Sequence, residues 1–153
     1  MTHLIDRRGF IVGAGAAGLG LSLGSGPALA QGQPLGVGFV YVGPVGDHGW
    51  TWTHDQGRKA LEAKLGAKVK TTFVENVAEG PDAERVIRQL ATAGNGLIFT
   101  TSFGFMNPTE RVARQFPNIK FEHATGYKTA PNLAVYNARF YEGRAVIGTI
   151  AGH

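Results

Sequence analysis

The densest run of chemically capable side chains is Gly43-Pro44-Val45-Gly46-Asp47-His48-Gly49-Trp50-Thr51-Trp52-Thr53-His54-Asp55-Gln56-Gly57. It holds both tryptophans of the chain, two of its five histidines and two carboxylates. Tryptophans offer flat faces for stacking, and glycines let the backbone approach a ligand closely. Asp47 adds a polar handle. Together these residue types point to half of a small-molecule binding site. Packing of Trp50 and Trp52 on a sheet edge is the alternative, but the flanking Gly, Asp and Thr favour a rim position. Asp47 serves equally as the N-cap of a following helix.

His48, His54 and Asp55 raise a zinc reading. The two histidines stand six residues apart, which does not put them on one helix face, so no metal is expected. A catalytic reading fares no better. Ser102 lacks the G-x-S-x-G elbow, and no histidine stands at a telling distance from it. The chain has no cysteine, which excludes thiolate nucleophiles, thiolate metal sites and disulfides. The expectation is a binding protein, not an enzyme, without a cofactor.

A strand–helix alternation must position the loop. Val37 to Val42 reads as a first strand buried on both faces. Thr53 to Leu65 reads as a helix with Ala60, Leu61 and Leu65 as its core stripe and Gly66 as its stop. Val69 to Val74 reads as a second strand, Ala83 to Ala93 as a helix entered through Pro81, and Leu97 to Thr101 as a third strand. Asn107-Pro108 caps a helix over Thr109 to Phe116. Ile119 to His123 and Leu133 to Tyr136 are fourth and fifth strands, and Phe140 to Ala151 is helical. This order predicts an α/β fold, a parallel sheet with helices on both faces. Right-handed crossovers bring the loop after the first strand and the loop after the third to one edge. The latter reads Thr101-Ser102-Phe103-Gly104-Phe105-Met106-Asn107. Phe103 and Phe105 alternate there, so one belongs to the core and one to a pocket. Aromatic, glycine and hydroxyl groups on both loops suit a flat polar ligand.

Residues 1–30 differ from the rest. Arg7-Arg8 precedes an apolar, Gly- and Ala-rich run from Phe10 to Leu23, and Ala28-Leu29-Ala30 fits a small-x-small cleavage site. This is the layout of a secretory signal cut after Ala30, and it resembles a twin-arginine signal, although Asp6 departs from that pattern and leaves the general route open. Inside it, Gly13, Gly15 and Gly18 match the dinucleotide fingerprint letter for letter. The motif lacks its preceding strand, and no acid for a ribose appears before Asp47. A dinucleotide-dependent oxidoreductase is therefore the disfavoured alternative. A net charge of +4, scattered along the chain without a basic block, gives no footprint for nucleic acid.

The run Gly38-Phe39-Val40-Tyr41-Val42-Gly43-Pro44-Val45-Gly46-Asp47-His48-Gly49-Trp50, then Asp55-Gln56-Gly57-Arg58, resembles the basic membrane protein (BMP) family of ABC-transporter substrate-binding proteins. Phe99 to Gly104 and Tyr136 to Gly143 extend the likeness over nearly all of residues 35–153. The resemblance implies the first lobe of a type I periplasmic-binding-protein fold, in which two α/β lobes close on a ligand. It implies a purine nucleoside, nucleobase or similar flat heterocycle, held in the periplasm and delivered to a membrane permease and ATPase. By position it implies Asp47, Trp50, Ser102, Phe103 and Gly104 as ligand contacts, with Trp52 as a second face. The segment Asn137 to Glu142, including Tyr141, would line the crossing into the second lobe. Paired tryptophans depart from the nucleoside-receptor pattern and make a free base as plausible as a nucleoside. Family chains are about twice as long. Residues 31–138 would then be the first lobe and residues 139–153 the start of the crossover, with weak ligand binding at best. A sensor domain of the same fold is a further alternative, disfavoured by the signal.

Overall fold

The computed structural model describes residues 32–152. The expected signal over residues 1–30, its cleavage site at Ala30 and the Gly13, Gly15 and Gly18 motif lie outside the described residues. Five parallel strands form one sheet: β1 (Leu35–Val40), β2 (Val69–Val74), β3 (Leu97–Thr100), β4 (Lys120–Ala124) and β5 (Leu133–Tyr136), in the order β2-β1-β3-β4-β5. The helices are α1 (Trp50–Leu65), α2 (Pro81–Thr92), α3 (Met106–Gln115) and α4 (Phe140–Ala151). The expected α/β class and parallel sheet are those observed.

Alternation along the strands divides two cores. Val40, Ile98, Phe121 and Leu133 point to one face, where Val86, Ile87 and Leu90 of α2 and Val112 and Ala113 of α3 cover them. Burying each such branched side chain contributes about 1.5–3 kcal/mol. Val37, Phe39 and Tyr41 point to the opposite face, under α1, with Leu61 and Phe99 packed at their margin. Gly94 ends α2 at φ 89°, a left-handed turn that lets the chain drop into β3.

Three expectations are corrected. α1 begins at Trp50, not Thr53, because Asp47 gathers the free amides of its first turn (below). Its inward positions are Thr51 and Asp55, each 1% exposed; Leu61 and Leu65 are half-buried and Ala60 is exposed. Thr51 accepts the Gly43 amide at 3.3 Å, and Asp55 pairs with Arg58 at 2.7 Å and Lys59 at 2.9 Å, so polar residues are satisfied where an apolar stripe was expected. Burial opposes the charge on Asp55, but the bonds from Arg58 and Lys59 outweigh it and hold the carboxyl below its usual range. Finally, α3 starts at Met106 rather than Thr109, continuing a 3-10 turn over Phe103–Phe105, so Asn107 and Pro108 lie inside its first turn.

The chain reverses direction across the sheet between β1, whose crossover leads to β2, and β3, whose crossover leads to β4. Ligands of open α/β sheets bind at the carboxyl ends of strands flanking that switch point.

Candidate functional site

Three loops meet at the carboxyl edge of β1, β3 and β2. Thr101, just past β3, donates its amide to the Val40 carbonyl at 3.2 Å and its hydroxyl to the same oxygen at 2.9 Å. The β2–α2 connection braces the other two. Glu75 accepts the Val45 amide at 2.7 Å. Glu79 accepts the Ser102 hydroxyl at 2.5 Å and the Gly104 amide at 3.2 Å. Neither glutamate was singled out from the sequence, although both follow the carboxyl end of a strand, and that position is the signal that marks them.

Asp47 starts α1. Its Oδ1 accepts the amides of Gly49 at 2.8 Å and Trp52 at 2.9 Å, and its Oδ2 accepts that of Thr51 at 3.1 Å. These are orphan donors of a helix N-terminus. The Gly49 and Trp52 amides hold the exposed carboxyl below its usual range. Asp47 is thus occupied by its own helix.

Trp50, the first residue of α1, donates its indole N–H to the Thr101 carbonyl at 2.6 Å. That bond lays the ring across the switch point. The His54 ring centroid is 4.7 Å from it and the Phe140 centroid 5.4 Å. The Trp50 ring lines a hollow of about 460 Å³ together with His54, Thr125, Tyr136, Asn137 and Phe140. It also lines an open cleft of about 960 Å³ with Val42, Ser102, Phe103, Phe140 and Glu142. Both volumes suit a small ligand. Burial pushes the Tyr136 hydroxyl up to about 12, so it stays protonated.

Of the residues expected from the sequence, the structure brings Trp50, Ser102, Phe103, Asn137 and Glu142 to these two hollows. Phe103 is 56% exposed while Phe105 is fully buried. Trp52 lines neither hollow and sits against the His48 ring, with centroids 5.9 Å apart. Gly104 faces Glu79, and Tyr141 lies under the Arg139 guanidinium at 5.9 Å. His54, Thr125, Tyr136 and Phe140 join the site without having been expected as ligand contacts. His48 and His54 turn to different tryptophans, and among the described residues no three His, Asp or Glu side chains gather as a metal would require. No helix among the described residues is long and apolar enough to cross a membrane.

The chain matches known proteins along its described length. A purine-binding protein of Brucella abortus is 65% identical over 132 residues, 86% of this chain and 37% of that protein. A Haloferax volcanii protein named as an ABC-transporter glucose-binding protein is 40% identical over 129 residues, 84% of this chain and 32% of that protein. The chain thus spans about a third of the length of the curated relatives it matches. Among solved structures, a solute-binding protein of an ABC transporter from Aeropyrum pernix superposes with a TM-score of 0.63 at 24% identity, covering 75% of this chain and 31% of the other. One from Conexibacter woesei gives 0.60 at 22%, covering 67% and 35%. These two likenesses establish the fold. The names in the family and its relatives are those of binding proteins, not enzymes. Residues 35–153 match the Bmp family, described as ABC transporter substrate-binding protein PnrA-like, and the chain belongs to that family.

Proposed function

We propose that this chain supplies one jaw of an extracytoplasmic receptor that binds a purine base, a purine nucleoside or a similar flat heterocycle and delivers it to the permease and ATPase of an ABC importer. The observation that carries this reading is the Trp50 ring, fixed by its bond to Thr101 and lining both hollows beside the His54 and Phe140 rings. An aromatic cluster held in place at the mouth of a cleft suits the stacking of a base. The more similar relative, at 65% identity, is named for purine binding, which supports the same ligand class.

One stacking jaw has a limited hold. Base–aromatic stacking contributes about 1–3 kcal/mol. A dissociation constant of 1 mM corresponds to about 4 kcal/mol. This jaw by itself therefore binds in the millimolar range or weaker, and tight binding requires an opposing surface from a second lobe.

The test is a titration of the chain with adenine, adenosine and glucose, followed by amide NMR shifts and tryptophan fluorescence. Purine-induced shifts at Trp50, Ser102 and Thr125 are expected. Glucose alone moving those residues would overturn the purine reading in favour of a sugar.

A further inference from the structure

The hydrogen-bond partners of the cleft floor determine what it can offer a ligand. Ser102 lines the open cleft, but its only proton is engaged by Glu79 at 2.5 Å. Toward the cleft it presents lone pairs alone. Its neighbours follow the same pattern. The indole N–H of Trp50 is held by the Thr101 carbonyl. The Thr125 hydroxyl donates to the Ala124 carbonyl at 2.6 Å, and the Thr53 hydroxyl to the Gly49 carbonyl at 2.7 Å. His54 Nδ1 lies 2.8 Å from the Trp50 carbonyl. A carbonyl only accepts, so a proton sits on Nδ1, and in that neutral tautomer Nε2 is an acceptor. Side-chain donors remain at the Tyr136 hydroxyl, at Asn137, whose Oδ1 accepts the Ala138 amide, and at Arg139 and Arg144 on the α4 side. The floor made by the strand-end loops and α1 is acceptor-rich.

We propose that Glu79 is a positioning residue that fixes this polarity: by holding the Ser102 proton it makes the jaw select a ring edge that presents N–H donors, such as an amino-substituted purine, over the same ring without them. The proposal rests on the purine reading above. Glu79 touches no ligand in this scheme. It acts through Ser102 and through the Gly104 amide, which seats the same carboxylate oxygen. Gly104 has room for that carboxylate because it lacks a side chain; a methyl group there would overlap it.

The experiment compares 6-aminopurine with unsubstituted purine on the full chain, by amide NMR titration. One extra neutral hydrogen bond corresponds to a preference of about three- to tenfold for the amino compound. In Glu79→Ala the Ser102 hydroxyl is free to rotate and donate, and the preference should shrink toward unity. Glu79→Gln keeps a carbonyl oxygen for both donors and should retain it. An unchanged preference in Glu79→Ala overturns the proposal. Equal binding of the two purines by the unmodified chain overturns the selectivity but leaves the purine reading standing. Absence of binding by both overturns the purine reading and the selectivity with it. A second readout is independent of any ligand. The Gly104 amide proton should shift in Glu79→Ala, which removes its acceptor, and stay near its parent position in Glu79→Gln; a resonance unmoved by Glu79→Ala would sink the proposal.

Discussion

The indole N–H of Trp50 donates to the carbonyl oxygen of Thr101 at 2.6 Å, tying the first turn of α1 to the end of β3 across 51 residues of sequence. The bond fixes the ring plane as well as its position. Trp50→Phe keeps an aromatic face and loses the bond, so it should weaken purine binding several-fold, a loss on the scale of the about 1 kcal/mol of one hydrogen bond. Trp50→Ala should abolish measurable binding. Trp52→Ala should leave affinity unchanged, since Trp52 packs on His48 outside both hollows. Titration of the three variants with adenine checks this, and equal losses at Trp50 and Trp52 would refute the assignment of the stacking face to Trp50.

Asp47 makes the start of α1 sensitive to acid. Its carboxyl is held below the usual range by the Gly49 and Trp52 amides, so its contribution to stability is complete above about pH 4, the ordinary aspartate value, and is lost as pH falls through the lower folded value. Asp47→Ala should therefore lower the melting temperature at pH 7 and make little difference once the carboxyl is protonated in the parent chain. Asp47→Asn retains an accepting oxygen and should fall between the two at pH 7, without the acid dependence. Thermal melts of the three chains, followed from pH 7 down through the acid range, decide the matter.

His123 acts in a different window. It is fully buried, its Nδ1 lies 2.9 Å from the Thr100 hydroxyl, and its Nε2 has no partner. Burial pushes its pKa below the ordinary value, against the smaller raising effect of Thr100. The unfolded chain binds a proton near pH 6.5 while the folded chain resists it, so stability is present above that pH and is lost as pH falls toward the folded value. His123→Leu should lower stability at pH 7.5, where it removes the bond to Thr100. It should also flatten the decline between pH 7.5 and pH 5. A variant that keeps the full decline would assign the acid sensitivity elsewhere.

The succession of strands and helices was legible because its signals are local. Val69–Val74 and Leu133–Tyr136 are bounded by turn residues and carry β-branched or aromatic side chains, and both strands occur as read. The site was legible only as loops. Reading residues 43–53 as irregular made Trp50 and Trp52 look like a pair, whereas α1 begins at Trp50 and two residues along a helix turn the side chain by about 200°. The rings must then face opposite ways. What hid the start of α1 is the reach of Asp47 to three amides, a tertiary-like geometry within a short stretch. Glu75 and Glu79 were hidden for a related reason: their partners are 30, 23 and 25 residues away, and no spacing rule connects a carboxylate to a distant amide.

α4 tests how far packing, rather than propensity, holds a helix. None of its residues is buried, and Val146, Ile147 and Ile150 are 61–70% exposed. Its twelve residues include Gly143 and Gly148, each costing roughly 1 kcal/mol relative to alanine in a helix interior. Helices this short are marginal in water without tertiary contacts. The contact that anchors it is Phe140, whose ring lies 5.4 Å from that of Trp50. Amides from Gly143 to Ala151 should therefore exchange with solvent orders of magnitude faster than those of β1 and β3, whose strands lie inside the sheet. Phe140→Ala should speed exchange in the first turn of α4 and leave the sheet unchanged. Exchange measured at two protein concentrations separates the remaining case: protection of Val146, Ile147 and Ile150 that grows with concentration would mean that two copies cover each other's exposed apolar side chains, and protection equal to that of β1 at both concentrations would contradict an unpacked α4.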